Sequence, residues 1–144
     1  MTNLEVALIS TIIASITTLL ITYWRTRYTI KSQDLSKLIE HLCELISDLE
    51  AHSCHFYQGE DKVSRDYILG LKEKVLILVN HLNVTYRSFN KDEIASLISL
   101  CSEACTGGNF ESTERTPRPE VQRKIMISSQ NLQISLLKIR NRLY

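Results

Sequence analysis

Between Glu5 and Arg25 the chain carries nineteen consecutive residues without a charge, Val6 to Trp24 (VALISTIIASITTLLITYW). At about 1.5 Å of rise per residue, a helix of that length reaches roughly 28 Å, close to the hydrocarbon thickness of a bilayer. Lipid offers the backbone no hydrogen-bond partner, so an isolated segment there has to be a helix. The run therefore predicts a single membrane-spanning helix. A cleavable signal peptide fits less well. It wants a basic start and a small-x-small cleavage site, whereas this chain starts Met1-Thr2-Asn3-Leu4-Glu5 and the run ends in Tyr23-Trp24-Arg25. A buried core helix is the other alternative, but the many β-branched Ile and Thr residues suit lipid better than a soluble helix.

The flanks predict the orientation. Arg25, Arg27 and Lys31 follow the span and Glu5 alone precedes it. By the positive-inside rule the N-terminus lies outside and everything from Arg25 onward is cytoplasmic, a single-pass arrangement in the inner (plasma) membrane. Tyr23, Trp24 and Tyr28 stand where an interfacial aromatic belt belongs. Within the span, Thr11, Ser15, Thr18 and Thr22 are four, three and four residues apart, with Ala7 and Ala14 nearby. Small and hydroxyl residues on one stripe let helices approach closely and hydrogen-bond across the contact, which predicts a homo-oligomer. The competing reading is that each hydroxyl bonds a carbonyl of its own helix. Assembled copies of such a stripe could also line a narrow wet pore.

Residues 1–31 thus read as an anchor, and residues 32–144 as one small cytosolic domain with enough chain for a single core. Cys43, Cys54, Cys101 and Cys105 should be reduced thiols there. From Lys31 onward fifteen basic side chains meet fifteen acidic ones, so bulk electrostatics gives no reason to expect duplex nucleic acid as a partner.

Every periodic segment in this part is helical. Leu35, Leu38, Ile39, Leu42, Leu45, Ile46 and Leu49 mark a helix from about Asp34 to His55, which Gln58-Gly59-Glu60-Asp61 ends. No Gly or Pro separates it from the span. A second helix, about Ser64 to Val84, carries Ile68, Leu71, Val75, Leu78, Val79 and Leu82, with Gly70 a weak point. Asn90 and Glu93 have the spacing of a capping box for a third, whose apolar face is Ile94, Leu97, Ile98 and Cys101 and whose stop is Gly107-Gly108-Asn109. Thr116 as N-cap with Pro117 at N1 opens a fourth, carrying Val121, Ile125, Leu132, Leu136, Ile139 and Leu143. No run alternates as a strand does. The expected fold is all-α: a single N-terminal transmembrane helix followed by a four-helix cytosolic bundle.

Charge is uneven along these helices. From Asp34 to Asp61 there are seven acids and one base, Lys37; from Val121 to Tyr144 there are five bases and no acid. One consequence is side-by-side packing of the acidic first helix and the basic last one. The other is an anion site. Arg115, Arg118, Arg123 and Lys124 crowd a helix start, where guanidiniums and free N–H groups both favour phosphate, although Pro117 and Pro119 remove donors. Catalytic signals are thin. His52, Cys54 and His55 are compatible with a metal site, but no second ligand pair stands at a known spacing. His41 and His81 read as surface or packing residues. No nucleophile elbow, phosphate-binding glycine loop or metalloprotease motif occurs. The residues imply no enzyme, no metal and no cofactor.

One span (Val6 to Trp24), a basic stop (Arg25, Arg27, Lys31) and an all-helical cytosolic domain with clustered Arg and Lys resemble the small ancillary membrane effectors of type III CRISPR antiviral systems. The resemblance is one of architecture and covers the whole chain. It implies a homo-oligomer whose cytosolic domains bind a cyclic oligoadenylate, cyclic tetra-adenylate, and whose membrane helices then disrupt the inner membrane. Tyr86 and Arg87, at the end of the second cytosolic helix, are then candidates for stacking on adenine. Two other functions fit the residues: a membrane-anchored helical adaptor that recruits a protein partner, and a tethered metal-dependent hydrolase using His52, Cys54 and His55.

Overall fold

The computed structural model describes residues 3–59, 63–111 and 116–142. Among them all regular structure is helical: α1 (Asn3–Tyr57), α2 (Arg65–Thr85), α3 (Ala95–Thr106) and α4 (Pro119–Asn141), with 3-10 turns at Lys91–Glu93 and Gly108–Glu111. The all-α expectation holds, and its helix count is corrected. The apolar run and the first helix of the following domain are one element, α1, because no Gly or Pro between Trp24 and Asp34 breaks the i to i−4 ladder. The chain divides into two compact units between Asp34 and Leu35, inside α1 rather than after Lys31.

In the first unit, side chains from Glu5 to Lys31 are exposed on every face, including Ile13 at 59% and Leu19 at 69%. Among the described residues it holds the one helix long and apolar enough to cross a membrane. Three of the four hydroxyls of the stripe, all but that of Thr22, turn inward to the backbone. Thr11 Oγ1 donates to the Ala7 carbonyl, Ser15 Oγ to that of Thr11 and Thr18 Oγ1 to that of Ala14, each at 2.8 Å. Thr17, off the stripe, does the same to Ile13. A helix with no other acceptor within reach satisfies its hydroxyl protons this way. What the stripe keeps for a neighbour is small size and oxygen lone pairs.

The second unit is built on one core. Leu35, Ile39, Leu42, Ile46 and Leu49 of α1 are buried with Ile68, Leu71, Val75, Val79 and Leu82 of α2. Ile98, Cys101 and Cys105 of α3 and Ile125, Leu132, Leu136 and Ile139 of α4 complete it. Steps of three and four put each set on one helix face, and each fully buried Leu or Ile contributes about 1.5–3 kcal/mol of transfer free energy. Helix α4 runs antiparallel to this part of α1. Its residues 118, 122, 129, 133 and 140 meet 57, 54, 50, 47 and 40 in turn, by Arg118 N–H to the Tyr57 carbonyl (2.9 Å), Gln122 to the Cys54 carbonyl (3.2 Å), Ser129 to Glu50, Gln133 to Ser47 (3.1 Å) and Arg140 to Glu40 (2.9 Å). The acidic and basic helices therefore do pack side by side, and the Arg140–Glu40 ion pair lies between them.

Two helix starts differ from expectation. Asn90 caps a 3-10 turn by accepting from the Asp92 N–H, and α3 begins only at Ala95. The reciprocal half of a capping box is missing because Glu93 pairs instead with Arg142 at 2.9 Å. Helix α4 has Arg118 as N-cap and Pro119 at N1, not Thr116 and Pro117. A proline disfavours helical backbone in the residue before it, so Arg118 (φ −130°, ψ 80°) stays outside and the second proline sets the start. Ser64 lies just outside α2 and caps it, accepting from the Tyr67 N–H at 3.1 Å.

Candidate functional site

The C-terminus of α3, the N-terminus of α4 and the end of α1 meet around Tyr57. Its ring is buried, its hydroxyl donates to the Gly107 carbonyl (3.0 Å) and its own carbonyl accepts from Arg118 N–H. Burial, reinforced by Cys105, raises the phenol's pKa, with Arg118 opposing. Gly107 ends α3 because no other residue fits: an added Cβ would lie 2.4 Å from the Glu103 carbonyl oxygen. Gly108 follows at φ +62°, a left-handed conformation that glycine adopts without strain. From this corner an open cleft of about 520 Å³ runs between α3 and α4. Its walls are Leu97, Leu100 and Ala104 on one side and Val121, Ile127 and Asn131 on the other, and Arg118 and Lys124 line it as well.

Of the four residues expected to hold an anion, the structure brings two, Arg118 and Lys124, to this cleft. Arg123 is exposed on α4 and does not line it, and Arg115 lies outside the described residues. The backbone adds little positive character. Pro119 has no N–H, and the N–H groups of Val121 and Gln122 both bond the Arg118 carbonyl at 3.2 Å. Glu103 also lines the cleft from α3, and Glu120 adds an acid to the first turn of α4. The cleft is chiefly apolar with two cations among its lining residues, rather than a dense phosphate cradle.

Tyr86 and Arg87 are elsewhere. Tyr86 caps the C-terminus of α2, ahead of the turn whose Glu93 holds Arg142 at the far end of α4. That helix spans 23 residues, about 34 Å, so these two residues and Arg118 do not form one site in a single chain.

Neither do His52, Cys54 and His55 converge. His52 Nδ1 donates to the Asp48 carbonyl (2.8 Å) and its ring lies 4.8 Å from that of Tyr67 on α2, while the Cys54 carbonyl is taken by Gln122 of α4. Among the described residues no three His, Cys, Asp or Glu side chains are grouped to hold a metal. His41 is exposed and pairs with Glu44 at 3.3 Å.

The i, i+4 spacing of Cys101 and Cys105 places them on one face of α3, and the structure adds what surrounds them. Cys101 and Cys105 are buried on α3 and hydrogen-bonded to each other, with fully buried Ser53 of α1 beside Cys105. The hydrogen bond from Cys105, with another from Ser128, lowers the Cys101 pKa against the effect of burial. The same bond and burial raise Cys105 strongly. Burial, then Glu50 and Cys105, pushes Cys54 up to about 11. All four cysteines are free thiols, as their spacing implied. Compared with protein-family models, curated proteins and solved structures, the chain matches none.

Proposed function

We propose that this chain is a membrane-anchored adaptor. Its apolar N-terminal helix holds it in the bilayer, the basic residues Arg25, Arg27 and Lys31 keep the second unit in the cytoplasm, and that unit captures a helical segment of a protein partner between α3 and α4. The observation that carries this reading is the apolar surface left open at the cleft, where Leu100 and Ile127 are each 55% exposed beside Leu97, Ala104 and Val121. A contiguous apolar groove with a polar rim is the usual mark of a docking site. From Leu97 to Gly108 the α3 wall is about 16 Å long, room for about three turns of a bound helix. Among the described residues that line the groove none pairs a nucleophile with a base, and the role proposed for it is binding. The test is a photo-crosslinking side chain placed at Leu100 in cells, with Glu73 on α2 as control. A defined adduct formed at Leu100 and lost with Ile127→Asp supports the adaptor. Identical adducts from both positions refute it.

A second reading is favoured by the convergence of Arg118 and Lys124 on the same cleft. In it the chain is the ligand-gated effector that its architecture resembles, with phosphates of cyclic tetra-adenylate on the two cations and adenine faces on the apolar walls. A homo-oligomer joined through Thr11, Ser15, Thr18 and Thr22 would repeat the site around a ring-shaped ligand. Isothermal titration of the whole protein in nanodiscs separates the readings. Binding of cyclic tetra-adenylate that is lost with Arg118→Ala favours the effector; no binding leaves the adaptor.

A further inference from the structure

Helix α4 carries two stripes. The buried one, Ile125, Ser129, Leu132, Leu136 and Ile139, belongs to the core. The other is Lys124, Ile127, Asn131, Ile134 and Lys138, and all five side chains are exposed. Their spacing of three, four, three and four is that of a coiled-coil seam, with isoleucines at one heptad position and Lys, Asn, Lys at the other. Lys124, Ile127 and Asn131 line the cleft, and Ile134 and Lys138 continue the same face beyond it. This is more than a solvated helix surface, because Ile127 and Ile134 stay 55% and 41% exposed one heptad apart.

Charge narrows what can cover it. Arg140 and Arg142 are taken up by Glu40 and Glu93, but among the described residues neither Lys124 nor Lys138 has an ion-pair partner. A second copy joined through α4 would set this stripe against itself. Pairing about Asn131 then brings lysine to lysine whether the two helices run parallel or antiparallel. The exposed face of α1 in the second unit offers acids (Glu44, Asp48) without large apolar anchors.

Resting on the adaptor reading, we infer that the α4 stripe docks an acidic amphipathic helix of a different protein. The helix puts acids against Lys124 and Lys138, about 21 Å apart, and aliphatic side chains against Ile127, Ile134 and Leu100. A polar side chain meets Asn131 and sets the register, as a single buried Asn does in a coiled coil. With three polar positions in the seam, the contact is a reversible one.

The probe is a labelled helical peptide of about 15 residues with Glu at both ends of the facing stripe, Leu opposite the isoleucines and Asn at its centre. Its counterparts carry Lys for Glu, or Ser for Leu. Binding is read by fluorescence anisotropy to the whole protein in nanodiscs. The acidic peptide binds, the lysine peptide binds about tenfold more weakly, and Lys124→Glu with Lys138→Glu reverses that order. Ile127→Ser with Ile134→Ser abolishes binding while the far-ultraviolet circular dichroism stays unchanged, since both sites are on the surface. Equal binding of acidic and lysine peptides overturns the inference, as does indifference to either double variant. If no peptide binds but the Leu100 crosslink forms, the acidic-helix inference falls and the adaptor stands. If neither occurs, both fall.

Discussion

Helix α1 contains two experiments on the same backbone. From Val6 to Trp24 it is apolar on every face and every side chain is exposed; from Leu35 to Tyr57 it is apolar on one face, and that face is buried. The first stretch has more hydrophobic residues yet contributes nothing to a protein core. Helix breadth of apolar surface, rather than its amount, distinguishes a segment that needs an apolar solvent from one that needs partner helices. The second stretch places acids such as Glu40, Glu44 and Asp48 between its leucines, so only one stripe seeks shelter, and α2, α3 and α4 supply it.

The sharpest way to break this contrast is to make the same truncation in both stretches. Leu42→Ala, at a fully buried site, should destabilise the second unit by about 2–5 kcal/mol, read by denaturant unfolding, while Leu19→Ala leaves that transition in place. A comparable shift from Leu19→Ala would mean that the first stretch also lies in a protein core. Next in size is Ile13→Arg. A charge at the centre of a membrane helix costs about 2.5–3.5 kcal/mol of insertion, so the variant should move from the membrane to the soluble fraction while the second unit stays folded. Unchanged fractionation would remove the anchor from the proposed function.

Gly107→Ala sharpens the contrast from the other side, because it disturbs the last turn of α3, inside the second unit alone. Its Cβ would meet the Glu103 carbonyl oxygen at 2.4 Å, so the end of α3 must shift, at about 1–3 kcal/mol. The unfolding midpoint should fall, with loss of the Tyr57 hydrogen bond to Gly107; an unchanged midpoint would show that the corner is slack. The smallest effect concerns protons. Cys54 is raised from 9.0 to about 11, mainly by burial. The neutral thiol is the form the fold prefers, so its contribution is fully present below pH 9.0 and lost as pH rises through about 11. Alkylation of Cys54 in the native protein should accelerate only over that window. A rate already at its plateau near pH 9 would show an exposed thiolate and a looser α1–α4 contact.

How far the molecule could be read in advance depended on the range of the interaction. The start of α2 near Ser64 was legible, and the cap that the structure shows there is local, the Ser64 hydroxyl needing only the N–H three residues on. Asn90 and Glu93 have an equally good local pattern, yet Glu93 is drawn off by Arg142, which is 49 residues away in sequence. Thr116 and Pro117 lost to Arg118 and Pro119 for a local reason, since Pro119 keeps Arg118 out of the helix, and the distant Tyr57 carbonyl then takes the Arg118 N–H. The cationic cluster was half legible. Sequence crowding brought Arg118 and Lys124 forward, but which cations share a cleft depends on helix phase, and that excluded Arg123. Tyr86 and Arg87 were separated from them by the length of α4, a distance that spacing along the chain does not show.

The amino-acid sequence by itself determined the helical class, the apolar stretch long enough to cross a bilayer and the helix-borne centre of the core, such as Leu42, Ile68 and Leu136, because these follow from periodicity and composition within a few turns of helix. Leu38, Leu45, Leu78, Leu97 and Val121 are only half-buried, Leu143 lies outside the described residues, and Phe56, Val63, Phe89 and Phe110 join the core without a periodic signal. Only the tertiary structure decided that α4 lies antiparallel against α1, that Cys101 and Cys105 are buried beside Ser53, and that Lys124, Ile127, Asn131, Ile134 and Lys138 stay open to solvent. The physical reason is that a helix carrying two stripes has two ways to be buried. The choice between them is made by the summed packing of every other helix, not by any local signal in the stripe that is covered.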